Sequence, residues 1–260
     1  MVKRKIGFVE WPEDLDPGSS QWSEIYHTVN AAGLDLLVTN EMPFGPWLAE
    51  GEKFDLIHAK HSVNCHERGL DALLELEVGA VVSSRPRFMN AGLVNEAFLL
   101  EKGEYRAIHQ KQYFPQETGY FEATWFRTEV SGFDTVNAAG INIGVLLCTE
   151  LFFNEHARAY GKLGADLIVV PRATGRIEPH WTVAASMAAI VSGSYVVSSN
   201  RIGRSIGGTE FGGVGLVYSP RGKAGDKLTL GNGLFVTEIN LDVAKKQKSV
   251  YPCYVADKSI

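Results

Sequence analysis

The feature that most constrains the fold is an alternation of short apolar segments with longer segments of helical character. Residues 141–147 and 165–170 are almost entirely apolar and rich in Ile, Leu and Val. Uninterrupted apolar runs of this kind are typical of strands that are buried on both faces. A segment with helical character follows each run, at residues 155–163 and 181–191. The alternation predicts an α/β or α+β protein in which helices cover a sheet core.

The other predicted elements fit the same class. Strands are predicted at residues 5–11, 34–39, 79–83, 195–198, 214–218 and 234–239, a hairpin at residues 97–100 and 105–109, and helices at residues 22–32 and 70–76. No fixed-period repeat, low-complexity segment or linker rich in Pro and Ser interrupts the 260 residues. A single domain over residues 1–260 is therefore expected.

Composition narrows the class of partner and the compartment. The chain has 25 basic and 30 acidic residues, a net charge of −5, and no block of Lys and Arg that would bind a phosphate backbone, so nucleic acid is not an expected partner. The apolar run behind the basic start ends at Glu10, too early for a signal peptide or a membrane span. Three cysteines, an odd and sparse count, fit a reducing compartment, and a cytoplasmic protein is expected.

Cys148 is the sharpest candidate for a chemical role. It follows the apolar run at residues 141–147 and precedes a predicted helix. Backbone N–H groups at such a turn stabilise a thiolate or an oxyanion, and nucleophiles are often placed there. A buried cysteine that acts only as a small apolar residue is the alternative that position alone leaves open.

Two charged residues are candidates to act together with this thiol. Glu41 follows the predicted strand at residues 34–39, and Lys111 follows the second strand of the hairpin. A glutamate takes the proton of a thiol, the thiolate attacks a carbonyl carbon, and an ammonium holds the resulting oxyanion. Each residue taken alone is equally compatible with an ordinary surface position.

The segments that carry these residues resemble motifs of the carbon–nitrogen hydrolase (nitrilase) superfamily, which is marked by a Glu–Lys–Cys triad. The matching segments are residues 40–43 (NEMP), 108–111 (IHQK) and 144–150 (GVLLCTE), in the order of the family. Residues 119–126 (GYFEATWF) are similar to a motif of the N-carbamoyl amine and aliphatic amidase branches. The resemblance extends from about residue 5 to residue 239.

The resemblance implies a four-layer α-β-β-α sandwich and a hydrolase that cleaves non-peptide C–N bonds through a cysteine thioester. It implies Cys148 as the nucleophile, Glu41 as the general base, and Lys111 with the backbone N–H of Thr149 as oxyanion donors. Glu122 would orient the lysine or the leaving nitrogen.

The resemblance also implies partners and assembly. A small amide or N-carbamoyl amine is the expected substrate, and no cofactor is expected. Family members usually form homodimers or higher homo-oligomers, and a C-terminal arm from about residue 241 would often cross to the partner subunit. Cys253, in this arm, and Cys65 are expected to be packing residues.

Substrate contacts are expected at Thr149, next to the cysteine, and on the segment after residue 170, which should overhang the sheet edge that carries the cysteine. The candidates are Thr149, Arg172, Thr174, Arg176, His180 and Trp181. A polar loop with one buried tryptophan is the alternative, and Trp47 and Trp125 carry the same ambiguity. No arginine pair follows Cys148, so the carboxylate clamp of the N-carbamoyl-D-amino-acid branch is missing.

Several other interpretations are weighed against these. His58, His61 and Cys65 would share one face of a helix with His66 nearby, which suggests zinc, although no metal is expected because a second ligand pair at a recognised spacing is missing. The glycines at residues 207–213 are expected to form a flexible loop, since the context of a phosphate-binding fingerprint is missing. An acyl transferase that uses the same thioester and an inactive binding protein of the same fold are the alternative functions.

Overall fold

The computed structural model describes residues 2–176 and 179–257. The strands are β1 (Lys3–Val9), β2 (Leu36–Val38), β3 (Ala80–Met89), β4 (Gly92–Glu101), β5 (Glu104–Gln110), β6 (Val136–Ala138), β7 (Ile141–Val145), β8 (Leu167–Val170), β9 (Tyr195–Ser198), β10 (Ile202–Arg204), β11 (Glu210–Gly212), β12 (Leu216–Tyr218), β13 (Leu228–Gly231) and β14 (Leu234–Asn240). The helices are α1 (Ser20–Ala31), α2 (Leu56–Leu74), α3 (Glu122–Trp125), α4 (Asn154–Lys162), α5 (Pro179–Ser192) and α6 (Leu241–Gln247).

Two sheets form the centre of the molecule. The larger has seven strands in the order β13-β14-β1-β2-β3-β4-β5, and the smaller has five in the order β12-β9-β8-β7-β6. The strands β1, β2 and β3 run parallel, as do β7, β8 and β9. Parallel strands place their carboxyl ends at one edge of a sheet, where the active sites of α/β proteins collect.

The two sheets pack face to face. Ile6, Phe8 and Val38 of the larger sheet share one buried cluster with Ile143 and Val169 of the smaller sheet. Strands β2, β7 and β8 are covered on both faces, which explains why their sequences are apolar apart from Asn142 and Gly144 in β7.

Helices cover the outer faces of both sheets. Trp22 and Val29 of α1 and Leu73 of α2 pack on the larger sheet, and residues of α4 and α5, such as Tyr160 and Ala185, pack on the smaller one. The predicted four-layer α-β-β-α sandwich is therefore confirmed.

The predicted strands and helices are present with shifted boundaries, and three long elements, α2, β3 and β4, extend beyond the prediction. Helix α2 begins at Leu56 rather than at residue 70, because Oδ1 of Asp55 caps it by accepting the N–H groups of Ile57 and His58. Strands β3 and β4 pair along their whole length, whereas only parts of both were predicted. Buried polar residues interrupt their apolar pattern, among them Ser83, Ser84, Asn95 and Glu96.

The glycine-rich segment at residues 207–213 contains a loop that leads into strand β11. It belongs to the hairpin of β10 and β11, whose connecting loop is tied to Glu50. The carboxylate of Glu50 accepts the N–H of Gly207 at 3.1 Å and the hydroxyl of Ser205. A carboxylate distant in the sequence therefore supplies acceptors for the donors of this loop.

The C-terminal segment packs on the same chain. Sγ of Cys253 lies 3.4 Å from the carbonyl oxygen of Ile190 in α5, and Arg158 of α4 donates to the carbonyl of Val255 and the carboxylate of Asp257. No helix in residues 2–176 and 179–257 is both long and apolar enough to cross a membrane.

Candidate active site

Glu41, Lys111 and Cys148 each lie just beyond the end of a strand. Glu41 follows β2, Lys111 follows β5, and Cys148 follows β7. Strands β2 and β5 belong to the larger sheet and β7 to the smaller, so the three side chains approach one another from opposite sheets. Glu41 and Lys111 are fully buried, and Cys148 is 3% exposed.

The ammonium of Lys111 lies between two carboxylates. Its Nζ is 2.8 Å from Oε1 of Glu41 and 2.6 Å from Oε2 of Glu122. Burial alone would lower the pKa of Lys111, but the carboxylates of Glu122 and Glu41 raise it above its usual value. The lysine therefore keeps its positive charge although it has no contact with solvent.

The two carboxylates keep one unpaired oxygen each. Oε1 of Glu41 also accepts a hydrogen bond from Nδ2 of Asn95 at 2.8 Å. Oε2 of Glu41 and Oε1 of Glu122 are buried and have no hydrogen-bond partner among the described residues. Buried polar atoms are normally satisfied, so this pair of acceptors is suited to N–H donors of a bound molecule.

Glu122, at the start of α3, is a buried carboxyl group that is influenced by both a cation and a second carboxylate. Burial raises its pKa to about 7, the Lys111 ammonium opposes that rise, and the Glu41 carboxylate adds to it. Its charge therefore changes close to neutral pH.

Cys148 is held in an unusual backbone conformation. Its φ is 52°, in the left-handed region that residues with a side chain rarely adopt, and its N–H donates to the carbonyl of Pro171 at 3.0 Å. Burial and the Glu41 carboxylate raise the pKa of the thiol, whereas Lys111 lowers it. The resting thiol is therefore protonated, and its reaction as a nucleophile requires a base.

Glu150 fastens the cysteine turn to the lysine strand. It is fully buried, and its Oε2 accepts the N–H of Leu147 at 2.8 Å, while its Oε1 accepts the N–H of Gln112 at 2.7 Å. Nε2 of His109 lies 2.7 Å from the same Oε2. The bonded residues directly precede Cys148 and directly follow Lys111, so Glu150 fixes the spacing between the thiol and the ammonium.

Sequence reasoning missed this role of Glu150 and the hydrogen bond from Asn95. The sequence signal for Glu150 is its position, two residues after the candidate nucleophile. The sequence alone assigns it no role beyond membership of the motif at residues 144–150. Asn95 lies within β4, where nothing in the sequence separates it from other polar residues of a strand.

Among the predicted substrate-binding residues, Arg172, Thr174 and Trp181 lie together beside the cysteine turn. The Arg172 guanidinium donates to Oγ1 of Thr174 and lies 5.0 Å from the centre of the Trp181 ring. Thr149 is partly exposed and lies in the short 3-10 helix Cys148–Phe152.

Of the four other candidates, two are exposed and two are buried. Arg176 and His180 are exposed. Trp47 and Trp125 are buried and donate their indole N–H groups to the carbonyls of Gly119 and Gly51. Both buried indoles therefore have a hydrogen-bond acceptor within the protein.

The histidines of α2 do not gather around one point. Nε2 of His61 lies 3.6 Å from Sγ of Cys65, whereas His66 is buried and its Nε2 accepts the N–H of Phe44. Burial lowers the pKa of His66 to about 4. Within the described part of the chain, no three side chains of His, Cys, Asp or Glu are placed to hold a metal ion.

Comparisons with known proteins agree with the fold. The sequence model of the family "Carbon-nitrogen hydrolase" matches residues 6–248. N-carbamoylputrescine amidase of Solanum lycopersicum is 25% identical over 265 residues, which cover 93% of this chain and 87% of the relative. The (R)-stereoselective amidase of a Pseudomonas species is 28% identical over 131 residues, which cover 49% of this chain and 47% of the relative.

Solved structures show the same fold. A carbon–nitrogen hydrolase from Helicobacter pylori G27 superposes with a TM-score of 0.80 at 19% identity and covers 97% of this chain and 94% of its own. A mutant amidase from Nesterenkonia sp. AN1, with the acetamide moiety of fluoroacetamide added covalently at its active-site cysteine, superposes with a TM-score of 0.76 at 23% identity and covers 95% and 94%.

The family match extends over nearly the whole chain and includes every element that carries Glu41, Lys111 and Cys148. The N-carbamoylputrescine amidase of Solanum lycopersicum matches along most of its length as well as along most of this chain. The chain therefore belongs to the carbon–nitrogen hydrolase family and is a hydrolase of carbon–nitrogen bonds other than peptide bonds.

Proposed function

We propose that the protein hydrolyses a small primary amide or an N-carbamoyl amine through a thioester on Cys148. The observation that carries this proposal is the buried Lys111 ammonium between the carboxylates of Glu41 and Glu122, next to the cysteine turn. One base, one cation and one thiol, all shielded from water, supply the three functions that acyl transfer to sulfur requires.

The proposed reaction begins with proton transfer from the Cys148 thiol to Glu41. The sulfur forms a bond to the carbonyl carbon, and the carbonyl π electrons move to oxygen, where Lys111 and the backbone N–H of Thr149 stabilise the negative charge. Protonated Glu41 then gives its proton to the leaving nitrogen as the C–N bond breaks. Ammonia departs, and a thioester remains.

The second half of the reaction reverses these roles. Glu41 takes a proton from water, the hydroxide oxygen attacks the thioester, and Lys111 again holds the oxyanion. The C–S bond breaks and the proton returns to the sulfur. The balance is one water consumed, with ammonia and a carboxylic acid released from an amide, or ammonia, carbon dioxide and an amine from an N-carbamoyl amine.

The unpaired carboxylate oxygens favour a substrate with a free –NH₂ group. Oε2 of Glu41 and Oε1 of Glu122 are two acceptors, and an unsubstituted amide or carbamoyl nitrogen brings two N–H donors. A nitrile nitrogen carries no such donors, so the same two oxygens would be left unsatisfied by a nitrile. The relatives named N-carbamoylputrescine amidase support the carbamoyl half of this substrate class.

The proposal extends to the setting of the enzyme. We propose that it works in the cytoplasm without a cofactor, as a homodimer or a higher homo-oligomer. The exposed apolar side chains of Val183 and Met187 on α5 support an association surface. Light scattering at several concentrations tests the assembly, and a monomer at every concentration would contradict it.

Product analysis together with intact mass measurement tests the chemistry. The purified protein is given a panel of primary amides, N-carbamoyl amines and nitriles, and released ammonia and carbon dioxide are measured. A substrate pulse should add an acyl mass to the wild-type protein and none to Cys148→Ala, which should be inactive. Normal turnover by Cys148→Ala would contradict the proposal, as would a preference for nitriles.

The same assay separates hydrolysis from transfer. With hydroxylamine present, a transferase would convert most of the thioester to a hydroxamate, whereas a hydrolase gives mainly the acid. A rate of acid release that is the same with and without hydroxylamine supports hydrolysis.

A further inference from the structure

Arg172 differs from the other deeply buried arginines in its counter-ion. Arg85 lies 2.9 Å from a carboxylate oxygen of Glu67, and Arg201 pairs with Glu13. Arg172 is fully buried and forms no ion pair with any carboxylate in residues 2–176 or 179–257. Burying a guanidinium without a counter-ion is energetically unfavourable. A buried arginine of this kind therefore usually binds an anion.

The neutral partners of Arg172 leave part of its hydrogen-bonding capacity unused. Its Nε donates to Oγ of Ser198 at 2.7 Å, one terminal nitrogen donates to Oγ1 of Thr174 at 3.3 Å, and the other donates to the carbonyl of Val214 at 2.8 Å. A guanidinium carries five N–H groups. Two of them therefore have no acceptor among the residues that the structure describes.

The position of Arg172 in the chain places it at the reacting centre. The carbonyl of the preceding residue, Pro171, accepts the N–H of Cys148 at 3.0 Å, and the carbonyl of Arg172 itself accepts the N–H of Glu41 at 3.2 Å. The guanidinium of Arg172 also lies within electrostatic range of the Cys148 sulfur. The Trp181 ring covers one face of the guanidinium and holds it in place.

We propose that Arg172 is an anion subsite of the active centre, which binds a carboxylate of the substrate and selects amides or N-carbamoyl amines that carry a negative charge. This inference rests on the proposed hydrolysis at Cys148 and adds the charge of the substrate. In this proposal, Arg172 takes the role of the arginine pair that is missing after Cys148, although it lies on the segment after β8. The planar fork of a guanidinium matches the two oxygens of a carboxylate.

Charge balance at the centre favours the same conclusion. Lys111 is already shared by Glu41 and Glu122, so it offers no free charge to a distant carboxylate of the substrate. Burial lowers the pKa of Arg172 to about 10, which still leaves the guanidinium charged at neutral pH. An incoming carboxylate would pair with this charge and relieve the cost of its burial.

The test compares anionic amides with neutral amides of the same shape. Malonamate, succinamate and glutaramate are measured against the matching methyl-ketone amides, in which a methyl group replaces one carboxylate oxygen, and against 4-aminobutanamide. The wild type should favour at least one anionic amide over its neutral partner by about 10²-fold in kcat/KM. Arg172→Met should remove this preference, and Arg172→Lys should keep part of it because the positive charge remains.

The ratio of the two kcat/KM values is measured on one preparation, so a partly unfolded variant does not distort it. Equal losses for the anionic and neutral amides in Arg172→Met would overturn the inference, because they would show a structural role. A wild-type preference for the neutral or the cationic amide would overturn it as well. Neither result would affect the proposed thioester chemistry, which any amide in the panel can report.

A binding experiment covers the case in which turnover is slow. In a Cys148→Ala background, the favoured anionic amide should raise the melting temperature more than its methyl-ketone partner. The difference should vanish in the double variant Cys148→Ala with Arg172→Met. No difference between the two ligands in the first background would overturn the inference even if the wild type proved inactive on every amide tested.

Discussion

Nε2 of His109 lies 2.7 Å from Oε2 of Glu150, and this contact joins the strand that leads to the lysine with the turn that carries the cysteine. Both side chains are shielded from solvent, His109 with 3% of its side chain exposed and Glu150 with none. The two sheets therefore meet at the reacting centre through a polar contact as well as through their apolar faces. The position of Cys148 relative to Lys111 depends on it.

We expect Glu150→Gln to reduce kcat by about 10-fold or more with little change in KM. A glutamine has one acceptor oxygen, so it cannot satisfy the N–H groups of Leu147 and Gln112 together, and the turn moves relative to Lys111. Steady-state kinetics and the rate of Cys148 alkylation by iodoacetamide measure the effect. Glu155→Gln is the matched control, because Glu155 is exposed on α4 and should leave both rates unchanged.

The alkylation rate separates positioning from general instability. A merely destabilised protein would lose active molecules, and the remaining ones would react at the normal rate and with the normal pH profile. A Glu150→Gln protein with an unchanged kcat per folded molecule would contradict the positioning role.

We expect Lys111→Met to reduce kcat/KM by about 10²–10³-fold, the size of effect that follows loss of one oxyanion donor. The substitution also leaves the buried carboxylates of Glu41 and Glu122 without their shared cation, so the melting temperature should fall. Kinetics on a primary amide and thermal unfolding are the measurements. Lys60→Met, at an exposed position of α2, is the control. Normal activity of Lys111→Met would remove the lysine from the mechanism.

The raised pKa of Glu122 predicts an acid limb in the rate. Burial raises this pKa to about 7, so the carboxyl is protonated below that pH and ionised above it. The ionised form accepts hydrogen bonds from Lys111 and from the substrate nitrogen, so kcat/KM should fall as the pH drops through about 7. In Glu122→Gln the overall rate should be lower and this limb should disappear. A limb that persists unchanged in Glu122→Gln would assign it to another group.

Some strands are predicted from the sequence and others are not, and the difference has a physical cause. Strands such as β7 and β8 are covered on both faces, so their composition alone identifies them. The polar stretches of β3 and β4 were not predicted as strands, because their buried Ser84 and Asn95 serve the site rather than the core. A local sequence pattern indicates which residues are buried. It does not indicate the hydrogen-bond partners of these residues when the partners are distant in the chain.

The same limit applies within the site. Glu41, Lys111 and Cys148 lie at strand ends, which are readable from sequence, and the motifs around them resemble a known family. The hydrogen bonds of Glu150 to Leu147 and Gln112, and the missing counter-ion of Arg172, depend on distances between strands that no spacing along the chain reveals.

Gly144, within the strand that leads to Cys148, supplies a prediction on stability. A β-carbon at this position would lie 2.5 Å from the ring of Tyr160, which is fully buried in α4 and donates its hydroxyl to the carbonyl of Val145 at 2.7 Å. The ring has no room to withdraw without breaking that hydrogen bond. Gly144→Ala should therefore lower the free energy of unfolding by about 1–3 kcal/mol, the usual cost of overpacking a core.

Chemical denaturation of Gly144→Ala, followed by tryptophan fluorescence, measures this loss. Gly18→Ala is the matched control, because Gly18 is exposed and a β-carbon there would approach nothing closer than 3.7 Å, so its unfolding free energy should change by less than about 0.5 kcal/mol. The displaced helix α4 follows directly on the turn that contains Cys148 and Glu150, so Gly144→Ala should also slow amide hydrolysis. Unchanged stability would show that α4 shifts freely against β7, contrary to the packing between the two.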